Sequence, residues 1–172
     1  MVSCSSPATK SKREPTASTN TDGTITWHDV ELVKVGTWPA STGPVTFTPA
    51  DLAAAVAAQH TDTYRLPRLK LGHVDPAPGA PAIGFVTNLR LADAGRTLIG
   101  DLDGIPADLA RRLPTEYPDR SIEGVFSDRG FLLVGLALLG AEQPAVGGMT
   151  SLRGLVAASI TNTTRHRWVS TR

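Results

Sequence analysis

The longest apolar run in the chain covers residues 131–139 and has Gly135 at its centre, so every hydrophobic segment is of strand length. A bilayer-spanning helix needs about 18 or more such residues in a row, which excludes a helical membrane protein. The other apolar segments are equally short and are separated by turn-forming residues, among them 16 glycines and 13 prolines in 172 positions. Short apolar runs with frequent Gly and Pro point to a strand-rich fold rather than a helical bundle. The length suits one domain, with core enough to fold without disulfide or metal staples.

Residues 25–35 are β-branched and aromatic with polar alternation, and Gly36 breaks them. Ser41 to Pro44 form a turn before a short extended piece at 45–47. Thr48-Pro49-Ala50-Asp51 is a helix start: the Thr48 side chain accepts a backbone N–H, Pro49 needs no partner there, and Asp51 complements the dipole. The helix continues to about residue 59, with Leu52, Ala55 and Val56 on one face.

Residues 69–73 form a short strand that ends at a Pro-rich loop. The runs 83–91 and 97–102 form a hairpin with Gly95 at positive φ. Pro106 opens a short helix over 107–113, and 120–126 and 131–139 form a second hairpin. Residues 1–22 lack hydrophobic periodicity and are expected to be a disordered leader. The folded domain is expected over 23–150, followed by a short helix at 151–160 and a basic flexible tail, together 151–172. The expected fold is α+β: six or seven mostly antiparallel strands in a barrel-like sheet with two or three short helices around it.

Charge and cysteine content exclude further classes. A net charge of +1 gives no footprint for a dedicated nucleic-acid binder, although Arg165, Arg167 and Arg172 make the end locally basic. Cys4 is alone and the four histidines are dispersed, so neither a disulfide framework nor a structural zinc is encoded. Nucleotide-binding glycine motifs and the GxSxG nucleophile elbow are absent.

Chemistry-bearing residues are scattered: His73 closes LKLGH, Ser121 opens RSIEG, and carboxylates stand at Asp75, Asp119, Glu123 and Glu142. Serine is a weak nucleophile until a base such as imidazole takes its proton. By composition alone, His73 reads as a polar strand end, Ser121 as a small packing residue, Glu123 as a solvated strand position and Asp75 as a turn former.

The ordered set VELVKVGTWPASTGPVTFTPADLAAAV, RLKLGHVDP, AIGFVTNLRLADAGRTLIGDLDGIPADLA, YPDRSIEGVF and GLALLGAEQPAVGG resembles the capsid maturation proteases of tailed phages. The similarity is to the Mu-like prophage protease group and spans about residues 27–150. It implies a serine endopeptidase with a fold like herpesvirus assemblin, a β-barrel ringed by helices. In such proteases a histidine precedes the nucleophile by about fifty residues, and here His73 precedes Ser121 by 48 positions. The resemblance therefore assigns His73 as general base and Ser121 as acyl-forming nucleophile.

Related proteases carry an acidic third member on the strand after the serine strand, but FLLVGLALLG has none. Glu142, Glu123 and Asp75 stand as candidates, the last two sharing a strand face with Ser121 and His73 if the strands are regular. Backbone donors for an oxyanion hole are sought in the loop 140–148, where Gly147 and Gly148 permit close approach. The implied partners are major capsid protein, scaffold protein and a second copy of the chain as a homodimer, with no cofactor, nucleic acid or membrane. The implied place of action is the assembling prohead in the host bacterial cytoplasm. The alternative is a catalytically inactive assembly or scaffolding factor with the protease fold.

Overall fold

The computed structural model describes residues 16–73 and 81–153. It is α+β and mostly strand, with nine strands and two α-helices among those residues. The continuous apolar run becomes β9 (Gly130–Leu139), which pairs along its length with β8 (Asp119–Ser127) through the turn at Asp128 and Arg129. A strand buried on both faces needs no polar alternation. Leu136, Ala137, Leu138 and Leu139 are accordingly all buried, because β9 lies inside the sheet between β8 and β5 (Arg68–Leu71).

The sheet runs on from β5 to β6 (Phe85–Ala92), β7 (Thr97–Ile105), β2 (Ile25–Lys34) and β1 (Thr16–Thr19). All pairings are antiparallel except β5 with β9. The β6–β7 turn places Gly95 at φ 83°, as its sequence requires. A separate ribbon, β3 (Gly36–Ala40) and β4 (Gly43–Phe47), leads into α1 (Pro49–Ala58). The Thr48–Asp51 capping box starts that helix, and Leu52 and Ala55 bury its inner face against the sheet. Helix α2 (Ala107–Glu116) follows Pro106 and buries Ala110 and Leu113.

Two expectations change besides the strand count, which is nine among the described residues rather than six or seven because residues 36–47 pair as the β3–β4 ribbon. The sheet does not close into a barrel among the described strands. Closure would need a ladder between β2 and β8, and other partners occupy that gap. The Arg120 guanidinium of β8 donates to the Glu31 and Thr150 carbonyls at 2.6 and 2.9 Å. The Thr150 N–H donates to the Glu31 carboxylate, and the Leu152 N–H to the Pro118 carbonyl, both at 2.8 Å. The segment at 150–152 thus serves as an irregular seam.

The second change concerns the leader. Residues 16–19, inside the segment expected to be disordered, form β1, because backbone pairing to the edge of β2 and the Asn20–Thr24 turn supply partners that hydrophobic periodicity does not reveal. Asp75 and most of the helix expected at 151–160 lie outside the described residues. No helix among the described residues is long and apolar enough to cross a membrane.

Candidate active site

Sheet register brings Ser121 and His73 to the same region. Ser121 on β8 lies opposite Ala137 on β9, which lies opposite Lys70 on β5; the next row is Glu123, Gly135 and Arg68. Residues opposite each other in a ladder project to one face, as do residues two apart on a strand. One face therefore carries Ser121 and Glu123 from one side and Lys70 and Arg68 from the other, over a floor of Ala137 and Gly135. The opposite face sends Ile122, Leu136 and Leu69 into the core. A Cβ on Gly135 would sit 3.1 Å from Glu123 Oε2, so the missing side chain makes room for that carboxylate.

His73 arrives by a turn. The Gly72 N–H donates to the Leu138 carbonyl at 2.8 Å, ending the β5–β9 pairing, and φ 68° at Gly72 swings the chain back over the sheet face. His73 Nδ1 then lies 3.3 Å from Glu123 Oε1. The same oxygen is 2.9 Å from Lys70 Nζ, which also donates to the His73 carbonyl at 3.4 Å. Lys70 therefore braces both the carboxylate and the turn that carries the imidazole.

A carboxylate accepting from Nδ1–H fixes the tautomer in which Nε2 has the free lone pair, as a general base needs. The imidazole is half exposed, and the Ser121 side chain makes no hydrogen bond among the described residues. Its neighbour Arg120 is fully buried, and burial pushes the guanidinium down to about 10, against the pull of Glu31 and Asp119. Arg120 stays charged at neutral pH and ties the start of β8 to the seam.

The chain matches no family model, no curated protein and no solved structure.

Of the three acidic candidates, the structure brings Glu123 to His73. Glu142 is exposed in the bend after β9, with no side-chain hydrogen bond or ion pair among the described residues, and Asp75 lies outside them. The glycines considered for an oxyanion hole lie beside β2 and β3. The Gly148 carbonyl accepts from Lys34 Nζ at 2.6 Å, Gly147 lies against the Trp38 ring, and Val146 is buried.

Sequence reasoning missed Lys70 and the small-residue floor. The alternation Gly135-Leu136-Ala137-Leu138 is the signal that could have shown the floor, since its small members share one face. Near Arg68 a groove of about 900 Å³ opens between α1 and the sheet, lined by apolar residues including Leu66, Phe85 and Val134 and by Arg65, Arg68 and Arg129. Among the described residues no three His, Cys, Asp or Glu side chains gather as a metal site requires.

Proposed function

We propose that this chain is a serine endopeptidase of phage prohead maturation, with Ser121 as nucleophile, His73 as general base and Glu123 as the residue that orients His73. The observation that carries this reading is the contact between His73 Nδ1 and Glu123 Oε1, two residues along the strand from Ser121 and on its face. In the reaction, His73 Nε2 takes the hydroxyl proton as Ser121 Oγ attacks the scissile carbonyl, then gives it to the leaving amine. Water repeats the cycle on the acyl-serine. Hydrogen bonds between nucleophile and base are often loose in the free enzyme and tighten with substrate, so the unbonded Ser121 hydroxyl suits this role.

The substrates are scaffold and capsid-protein peptide bonds, and the chain's own termini, inside an assembling shell in the host cytoplasm. Confinement there raises effective concentration, so weak substrate affinity suffices. The apolar groove with its arginines suits an extended peptide that carries aliphatic and acidic side chains. An assemblin-like ancestry accommodates the open seam at β2 and β8, since both strands still face each other across Arg120. By the same likeness the working form is a homodimer.

Co-expression with the cognate major capsid protein, read by intact-mass spectrometry, tests this. Wild type trims capsid protein or itself, while Ser121→Ala and His73→Ala leave both masses unchanged. Identical uncut masses from three folded proteins that bind capsid protein would replace the enzyme with an inactive assembly factor.

A further inference from the structure

At the other end of the sheet a second serine, histidine and carboxylate stand in hydrogen-bonded sequence. Ser18 Oγ on β1 lies 2.8 Å from His28 Nε2 on β2, and His28 Nδ1 lies 3.2 Å from Asp101 Oδ2 on β7. This is the connectivity of a nucleophile, its base and the group that orients the base. Asp101 is nearly buried, and its carboxylate also accepts from Asn88 Nδ2 at 3.1 Å, the Arg90 guanidinium at 2.8 Å and the Asp29 N–H at 3.1 Å. Burial pushes its pKa up, but these donors together with His28 outweigh that and hold it below the usual carboxylate value.

The backbone around Asp101 is built to the same end. Asp29 and Asn88 adopt φ 58° and 51°, a left-handed conformation uncommon outside glycine. Each sits at a register break, Asp29 where β2 shifts against β7 and Asn88 where β6 shifts against β7. Two bulges on the strands flanking β7 thus aim donors at one carboxylate, and bulges and backbone strain concentrate beside functional sites.

An oxyanion donor is also at hand. The Asn20 N–H donates to the Thr24 carbonyl, and antiparallel ladders alternate, so within β1 the residues one and three before Asn20, Thr19 and Ala17, point their N–H groups out of the sheet. β1 is the terminal strand among those described, which leaves the Thr19 N–H beside Ser18 at a free edge.

We propose that Ser18, His28 and Asp101 form a second nucleophilic site, separate from Ser121, that accepts acyl groups from small carboxylic esters. Thr16 flanks Ser18 on this face, and the buried Thr26 hydroxyl opposite is already bonded to Asn20 and Asp103, so the fitting acyl group is short rather than a fatty chain. His28 Nε2 takes the Ser18 hydroxyl proton as Oγ bonds to the carbonyl carbon, and the Thr19 N–H meets the oxyanion. The ester C–O bond then breaks and His28 returns the proton to the leaving alcohol. Water, deprotonated by His28, releases the carboxylic acid and restores Ser18.

The test treats the full chain with p-nitrophenyl acetate and, separately, with a fluorophosphonate probe, then maps adducts on tryptic peptides. The peptide 14–34 contains Ser18 as its only serine, whereas Ser121 falls in peptide 121–129. Expected are an adduct on peptide 14–34, its absence in Ser18→Ala, and labelling about a hundredfold slower in His28→Ala, the scale of a lost general base. His28→Gln, which keeps polar contacts but cannot act as a base, serves if the alanine variant does not fold. An unmodified peptide 14–34 in the folded wild type, or equal labelling without His28, overturns the proposal and leaves the Ser18–His28 bond as a tie for β1. Both readouts are independent of peptide 121–129, so failure here and failure of the protease reading are distinguishable.

Discussion

The two serine sites occupy opposite ends of one sheet and solve the same geometric problem differently. At the β8 end, Ser121 and Glu123 share a strand, and the His73 imidazole is delivered by a glycine turn that ends β5. At the β1 end, each member comes from its own strand, and the imidazole of β2 lies between Ser18 on β1 and Asp101 on β7. The first arrangement leaves His73 half exposed and the Ser121 hydroxyl without a hydrogen bond among the described residues. The second is closed by hydrogen bonds before any substrate arrives. An unbonded hydroxyl distinguishes the Ser121 site among the described residues; preformed bonding distinguishes the Ser18 site.

On the proposed mechanism the largest effects come from Ser121 and His73, the groups assigned to move protons. Ser121→Ala or His73→Ala should lower peptide cleavage by about 10³-fold or more, measured as capsid-protein trimming over time, with unfolding midpoints unchanged. Neither change should alter labelling of peptide 14–34, and loss of both together would merge the two sites into one.

Arg120→Met comes next. Two carbonyls lose their donor in the buried seam, so urea denaturation should show destabilisation of roughly 2 to 4 kcal/mol. A neutral result would mean that the seam at 150–152 does not hold β8.

Gly135→Val fills the floor beneath Glu123. It should slow cleavage by about tenfold or more while leaving Ser18 labelling intact, since misplacement by about 1 Å costs on the order of a hundredfold.

The smallest effect concerns pH. Asp101 is held below its unfolded value of about 3.9, so its contribution to stability is fully present above that value and is lost as pH falls through the lower folded value. Asp101→Asn should therefore flatten the fall in urea midpoint below about pH 4 relative to wild type.

Much of the fold was legible because its signals are local. The Thr48 cap, the Gly95 turn and the runs that become β2 and β9 depend on residues a few positions apart, and the structure places them where they were expected. Ser121 and Glu123 share a face for the same reason, a period of two along β8. What was not legible depends on register between distant strands. TAST at residues 16–19 has no apolar pattern and becomes β1 only because β2 offers an edge. Barrel closure turned on Arg120 and Glu31, 89 positions apart, and Lys70 reaches Glu123 only because β5 runs parallel to β9. The Ser18–His28–Asp101 chain spans separations of 10 and 73 positions and crosses two strand pairings.

The most direct test of the Ser121 site compares Glu123→Gln with Glu142→Gln in capsid-protein co-expression, read by intact mass at matched times. If Glu123 orients His73, Glu142→Gln cuts at the wild-type rate and Glu123→Gln is slowed, by between about tenfold and 10⁴-fold. Wild-type cutting by Glu123→Gln with loss of cutting in Glu142→Gln would contradict the assignment and move the third member to the bend after β9.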